Sequence, residues 1–140
     1  MEVQVNLLGV LGAVVVSMMV GGLWYSKFLF GTTWMKLAKI DKKKAQEGAG
    51  LAMAGMAILA LVMAFVLAHV TYLSNSFFVE YSFQASAIMS GLWVWLGFVL
   101  PVTASDSLFN QKPWKLSMIH AGNWLITLIG MSIVIGIIGV

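Results

Sequence analysis

The sequence predicts an all-α membrane protein, a four-helix transmembrane bundle with both termini outside the cytoplasm. Of its 140 residues, 61% are hydrophobic and only 9% are charged, whereas a soluble domain carries about 25% charged residues. The apolar residues gather in four long segments, each close to the roughly 20 residues that a helix needs to cross the bilayer core. The lysines occupy only two of the three connections between these segments. Composition, segment length and charge placement therefore agree on one fold class.

The four predicted helices are continuously apolar. Strands of a membrane β-barrel would instead alternate in polarity over about ten residues per crossing, and a helix satisfies its backbone hydrogen bonds within one segment. We therefore predict a single transmembrane domain over residues 1–140. Its helices are predicted at about residues 5–25, 49–73, 84–105 and 116–139.

Lysine positions predict how the bundle is oriented. Six lysines lie between the first two helices, and Lys112 and Lys115 lie between the last two. The N-terminus and the remaining connection hold no lysine, and their only charged residues are Glu2 and Glu80. Because positively charged connections stay on the cytoplasmic side, the lysine-rich connections are predicted to be cytoplasmic and both termini extracytoplasmic.

The first connection is predicted to form an interfacial amphipathic helix. Two helical stripes can be drawn on it, Phe30, Trp34 and Leu37 on one face and Lys36, Lys39 and Lys43 on another. Such a helix would place its aromatic side chains at the headgroup boundary and its lysines toward anionic lipid. A short solvated linker, whose charges only orient the chain, is the alternative. The residues predicted to bind membrane lipid or a partner are Lys36, Lys39, Lys42, Lys43 and Lys44.

The first helix carries a ridge of small residues at every fourth position. In lipid, such ridges let helix backbones approach closely, and this contact contributes to helix association. The ridge packs the helix within its own bundle or against a second copy of the chain, and a homo-oligomer is expected. The ridge residues are Gly9, Ala13, Ser17 and Gly21.

A proline interrupts the predicted third helix. Pro101 cannot donate a hydrogen bond to the carbonyl of Gly97, so a helix kink is expected there. The kink is either a structural feature of a kind common in membrane helices or a hinge for gating.

Polar residues meet where the third helix ends and the fourth begins. Asp106 and His120 lie on either side of a short connection, and Asn123 follows His120 by about one helical turn. Ionisable groups within a membrane are candidates for function, and an Asp–His pair can relay a proton. The alternative is a polar network that joins two helix ends. The other histidine, His69, is expected on the order of 20 Å away along the membrane normal, so no metal site is predicted.

Aromatic–glycine motifs in both halves resemble a known family. They read Gly22-Leu23-Trp24-Tyr25-Ser26, Leu29-Phe30-Gly31 and Trp34-Met35, then Gly91-Leu92-Trp93, Gly97-Phe98, Leu108-Phe109, Pro113-Trp114, Ala121-Gly122 and Trp124-Leu125. In combination they resemble the prokaryotic membrane family catalogued as domain of unknown function 1761. Lys27 and Asn123 depart from the pattern, which has proline and often an aromatic there. The resemblance implies a small multi-pass protein of the inner or plasma membrane of a prokaryote, and it brings no activity or catalytic residue.

No catalytic motif is found in the residues, and an enzyme that acts on a lipid at the inner leaflet is only the third hypothesis. The chain has no cysteine, no glycine-rich phosphate loop and no paired carboxylates, so neither catalytic residues nor cofactors are predicted. The net charge of +3 comes from lysines beside membrane segments, and no nucleic-acid partner is expected. The leading hypothesis is a non-enzymatic, homo-oligomeric bundle that moves a small solute, ion or proton. The alternative is a membrane scaffold whose lysine-rich first connection binds anionic lipid or a partner.

Overall fold

The computed structural model describes residues 3–139, and every regular element in that range is a helix. Four spans are long and apolar enough to cross a membrane, so the predicted all-α fold with four membrane helices is confirmed. The second span runs to Phe77 and the third to Leu108, a turn or less beyond their predicted ends. The elements are α1 (Leu7–Trp24), α2 (Gly31–Leu37), α3 (Lys42–Glu47), α4 (Ala49–Phe77), α5 (Phe83–Val94), a π-helical turn (Trp95–Val99), α6 (Leu100–Leu108) and α7 (Trp114–Ile138).

The four spans form an antiparallel bundle in which α1 and α5 each pack against both α4 and α7. Because the chain reverses direction between spans, the α1–α4 and α6–α7 connections lie at the same end of the bundle. These two connections and the first turn of α7 carry all eight lysines. We call this end the lysine end and the opposite end, where α4 connects to α5, the far end.

The ridge of small residues on α1 packs largely inside the chain. A side chain at Gly9 would lie 3.7 Å from Ile138 of α7, and Ala13 and Ser17 are 0% and 5% exposed. Gly21 differs, since no atom beyond its own helix lies within 4 Å of where its side chain would begin. The ridge thus brings α1 close to α7 toward the far end and leaves open space at the lysine end.

The first connection forms two short helices: the predicted aromatic stripe lies on α2, and the predicted lysine stripe is divided between α2 and α3. α2 ends at Leu37, and Lys39 adopts a left-handed backbone conformation with φ of 53°. This break prevents the lysine stripe from continuing on one helix. Asp41 then caps α3 by accepting hydrogen bonds from the backbone N–H groups of Lys43 and Lys44 at 2.9 and 3.2 Å.

The proline of the third span is preceded by the π-helical turn Trp95–Val99. Pro101 has no N–H for the carbonyl of Gly97, and the backbone N–H of Leu100 reaches back five residues to the carbonyl of Trp95. The irregularity expected from the sequence therefore takes the form of a π turn directly before the proline. The hydroxyl of Thr103, one turn after the π-helical turn, donates to the carbonyls of Val99 and Leu100, both at 3.0 Å.

Candidate functional site

The candidate site begins with a tight turn after α1. The backbone N–H of Phe30 donates to the carbonyl of Trp24 at 3.0 Å, and that of Gly31 donates to the carbonyl of Ser26 at 2.9 Å. A side chain at position 31 would begin 2.6 Å from the Ser26 carbonyl oxygen, so only glycine fits. The turn therefore folds α2 back against the end of α1.

Two tryptophans are positioned by this turn. The Trp34 ring of α2 lies 4.8 Å from the Tyr25 ring, centroid to centroid. The indole Nε1 of Trp24 donates to the carbonyl of Ile119 in α7 at 3.0 Å. Gly122 makes room for that indole, because a side chain there would begin 3.0 Å from the Trp24 ring. α1, α2 and α7 are thus fixed to one another by aromatic side chains.

A tyrosine–histidine pair joins α7 to the turn. The Oη of Tyr25 lies 2.7 Å from Nδ1 of His120, and both side chains are partly buried. If the phenol donates, the imidazole carries its proton on Nε2 and can donate to a further group; if the imidazole donates, Nε2 is an acceptor. In either arrangement, the second ring nitrogen of His120 remains available to a ligand or to water.

A cavity of about 460 Å³ opens beside this pair, between α1, α2, α4 and α7. Its volume lies within the roughly 300–1,000 Å³ of ordinary small-molecule sites. Room for it comes from Gly21 and Gly22, whose missing side chains would meet no atom beyond their own helix within 4 Å. The lining residues are Ser17, Met18, Gly21, Gly22, Tyr25, Trp34, Met53, Met56, His120, Asn123, Trp124 and Thr127.

Two polar atoms in the cavity wall lack partners. Asn123 and Thr127, one turn apart on α7, are 5% and 1% exposed. Within residues 3–139, neither the Asn123 Oδ1 nor the Thr127 Oγ1 has a hydrogen-bond partner. Leaving a buried polar atom unpaired costs about 1–3 kcal/mol, and lipid offers no replacement. Both atoms have almost no accessible surface, so a bound hydrogen-bonding group would reach them once these side chains turn toward the cavity.

The structure brings together only part of the predicted polar cluster. His120 and Asn123 line the cavity, but Asp106 is exposed and accepts a hydrogen bond from the Asn110 side chain at 2.7 Å. No hydrogen bond joins Asp106 to His120 in the described part of the chain. The two groups have other hydrogen-bond partners instead: Asn110 donates to the Asp106 carboxylate, and the His120 imidazole is paired with Tyr25.

Sequence reasoning did not assign the aromatic residues of the cavity to a site. Tyr25, Trp34 and Trp124 have the composition of an interfacial aromatic belt, and their motifs carried only the family resemblance. One signal was present: Gly21 and Gly22 are separated by one residue from the Trp24–Tyr25 pair, on the end of the bundle that also holds His120. Two adjacent glycines beside aromatic residues can leave open space between helices as well as let the helices pack closely.

The remaining predicted residues lie outside the cavity. Lys42, Lys43 and Lys44 form the exposed first half of α3, and Lys36 and Lys39 are also exposed. In the part of the chain that is described, no cluster of three or more histidine, cysteine or acidic residues could hold a metal ion.

Comparison with known proteins identifies a family and no characterised relative. The model of the family described as protein of unknown function (DUF1761) matches residues 8–136. No curated protein and no solved structure matches the chain. Several residues of the motifs that resemble this family line the cavity or position its lining. They include Tyr25 and Trp34 in the lining and Trp24, Gly31 and Gly122 behind it. The chain belongs to the DUF1761 family of proteins of unknown function.

Proposed function

We propose that this integral membrane protein binds a small neutral solute in the cavity at its lysine end, as part of moving that solute across the membrane. The observation that carries the proposal is the pair of buried, unpartnered polar atoms, Asn123 Oδ1 and Thr127 Oγ1, in the wall of a ligand-sized cavity. Positive-inside placement of the lysines would put the cavity on the cytoplasmic side of a prokaryotic cell membrane.

The lining chemistry favours a neutral solute over an ion. The cavity wall contains neither a carboxylate nor a lysine, and a charge within a membrane protein needs a counter-charge or several oriented dipoles. Thioether and aromatic side chains from Met18, Met53, Trp34 and Trp124 suit an apolar body. The polar atoms of α7 would hold one hydrogen-bonding group of the ligand and so fix its orientation.

A binding role fits the site better than a catalytic one. His120 is paired with a tyrosine and no carboxylate orients it, so the nucleophile, base and orienting group of a hydrolytic site are not assembled.

The proposal can be tested with three phenylalanine derivatives of similar size. At about pH 6, N-acetylphenylalaninamide is neutral, N-acetylphenylalanine is anionic and phenylalaninamide is cationic. We expect the neutral compound to raise the unfolding temperature of the protein in lipid nanodiscs with saturation, and the charged compounds to do so much less. Asn123→Leu, which keeps the size and removes the polar atoms, should abolish the shift. Equal stabilisation by the charged compounds, or an unchanged shift in Asn123→Leu, would contradict the proposal.

A homo-oligomer is also proposed, with a contact surface other than the ridge on α1. Ala13 and Ser17 of the ridge are 0% and 5% exposed, so this part of the ridge is occupied within the chain. Native mass spectrometry of the protein released from nanodiscs should show more than one copy. A monomer under these conditions would remove this part of the proposal.

A second candidate function is supported by the exposure of α3. Its residues Lys42, Lys43 and Lys44 are all exposed at the lysine end, where they would face the headgroups of anionic lipid. Replacing the three by glutamate should lower the amount of phosphatidylglycerol that copurifies with the protein, or release a bound partner. No change in either would reject the scaffold function.

A further inference from the structure

A second group of buried polar side chains lies toward the far end, away from the cavity. Thr71 of α4, Ser90 of α5 and Ser132 of α7 are 0%, 4% and 0% exposed. None of their hydroxyl oxygens has a hydrogen-bond partner within residues 3–139. We call these three residues the hydroxyl layer.

Contacts between the helices place the three residues at one level. The Nδ2 of Asn75 donates to the hydroxyl of Ser86 at 3.2 Å, which fixes the register of α4 against α5. Thr71 and Ser90 each lie one turn from that contact toward the lysine end, because the helices are antiparallel. Ser132 lies against the same part of α5, since a side chain added at Gly91 would overlap its hydroxyl oxygen.

One turn further toward the lysine end, each of these helices presents an apolar side chain. Leu67 lies one turn from Thr71 on α4, Val94 one turn from Ser90 on α5, and Leu128 one turn from Ser132 on α7. All three apolar residues border the same small gap between the helices. They form an apolar layer about one helical turn, or 5.4 Å, from the hydroxyl layer. Beyond it lies the cavity, because Thr127 of its wall is next to Leu128 in the chain.

Toward the far end, the polar side chains continue. Asn75 also donates to the carbonyl of Tyr81 in the α4–α5 connection at 2.9 Å. The buried Oε1 of Gln84 has no partner among the described residues and lies 2.7 Å from where a side chain at Gly136 would begin. Polar groups therefore extend from the hydroxyl layer to the surface at the far end.

Serine hydroxyls in membrane bundles ordinarily hydrogen-bond across helices, and this chain contains such a pair. Ser107 of α6 and Ser117 of α7 are buried with their hydroxyls 2.7 Å apart. The hydroxyl layer makes no such bond within residues 3–139, although its members are buried at one level of three neighbouring helices. Direct helix-to-helix bonding therefore does not explain it. The layer contains no carboxylate, which argues against a cation as the missing partner.

We propose that the hydroxyl layer binds internal water and forms the far half of a path through the single chain, closed by Leu67, Val94 and Leu128. Internal water commonly bridges buried polar groups that protein partners leave unsatisfied. The cavity is the other half of the path. The water site rests on residues of its own, and only its role in moving a solute rests on the proposed function.

The natural absence of cysteine makes the site directly testable. Hydrogen peroxide is close to water in size and polarity, and it oxidises a cysteine through the thiolate, which forms in water and not in an apolar interior. Ser132→Cys and Ser90→Cys place a thiol in the layer with little change in volume. Ala13→Cys and Ala64→Cys are matched controls, since both alanines are 0% exposed in the apolar core, one on α1 and one on the lysine-end side of the apolar layer of α4.

In nanodiscs, we expect peroxide to oxidise the two layer cysteines at least about tenfold faster than the controls. The rate should also rise with the thiolate fraction between about pH 6 and pH 8. The readout is the intact mass after the remaining thiols are blocked. Equal rates at layer and control positions would overturn the water site.

A second measurement tests the closure. Leu128→Ala should raise the osmotic water permeability of proteoliposomes severalfold, while Ile133→Ala, on the exposed face of α7, should leave it unchanged. An unchanged permeability in Leu128→Ala would overturn the path. Neither measurement uses a cavity ligand, so failure here is distinct from failure of the proposed solute binding.

Discussion

Buried polar atoms at the lysine end line a cavity that fits a ligand, whereas those toward the far end lie in a closed layer between three helices. Glycines and large aromatic side chains build the first region, so the helices stand apart around Gly21 and Gly22. Small hydroxyl residues build the second, and they let the helices close in until Ser132 touches the backbone of Gly91. From the same shortage of hydrogen-bond partners, we propose a solute in one region and water in the other.

The largest loss of stability in the first region is expected from a side chain at Gly31, in the turn after α1. Gly31→Ala should destabilise the protein by at least about 1–3 kcal/mol, the range for overpacked sites, because the new side chain meets rigid backbone at the Ser26 carbonyl. Unfolding in detergent with increasing sodium dodecyl sulfate measures the effect. Gly50→Ala is the control, since nothing beyond its own helix lies within 4 Å of the added carbon. Equal stabilities of the two variants would show that the turn is not as tight as described.

Filling the contact in the second region should cost less and should be reversible. Gly91→Ala is expected to lose about 1–2 kcal/mol, the lower part of the overpacking range, because the serine side chain can yield where a backbone cannot. Adding Ser132→Ala should recover part of the loss, since the Ser132 Cβ would lie 3.5 Å from the new carbon. A double-mutant cycle measures this coupling, and a coupling of zero would mean that the two positions do not touch.

A pair of indole hydrogen bonds ties the first and third spans to α7 near the lysine end. Trp24→Phe and Trp95→Phe remove the bonds to the carbonyls of Ile119 and Ala121, and each should cost about 0.5–1.5 kcal/mol. Trp93→Phe is the control, because Trp93 is 64% exposed. A loss in the control as large as in the other two would assign the effect to the ring and not to the hydrogen bond.

The smallest effect is expected at Asp106. Its carboxylate is exposed and bonds only the side chain of Asn110, so Asp106→Asn should change stability by less than about 0.5 kcal/mol, as is usual for surface substitutions. Binding of N-acetylphenylalaninamide should also be unchanged. A clear loss of binding would return Asp106 to the site that the sequence predicted.

The membrane fold could be predicted because it depends on segment length, hydrophobicity and lysine position, which can be read directly from the sequence. Run length and polarity define the four spans, and chain alternation places Lys27 and Lys112 at the same end. The break in the first connection could not be predicted, since the left-handed conformation of Lys39 is not a preference of lysine.

Only half of the site could be predicted. His120 and Asn123 were accessible to sequence reasoning because a polar group within an apolar helix stands out. Tyr25 was not, because its contact with His120 joins residues 95 positions apart through a turn that only Gly31 permits. The hydroxyl layer could not be predicted for a similar reason. Serine and threonine are ordinary residues in a membrane helix, and only the packing of the helices shows that these three lack hydrogen-bond partners.

Flux into proteoliposomes tests the central claim, that the cavity is the solute site, most directly. We expect radiolabelled N-acetylphenylalaninamide to enter vesicles containing the wild-type protein faster than empty vesicles, and vesicles containing Asp106→Asn at the wild-type rate. Entry through Asn123→Leu should fall to the rate of empty vesicles. Entry through Asn123→Leu at the wild-type rate would contradict the account, because the cavity would then play no part in moving the solute.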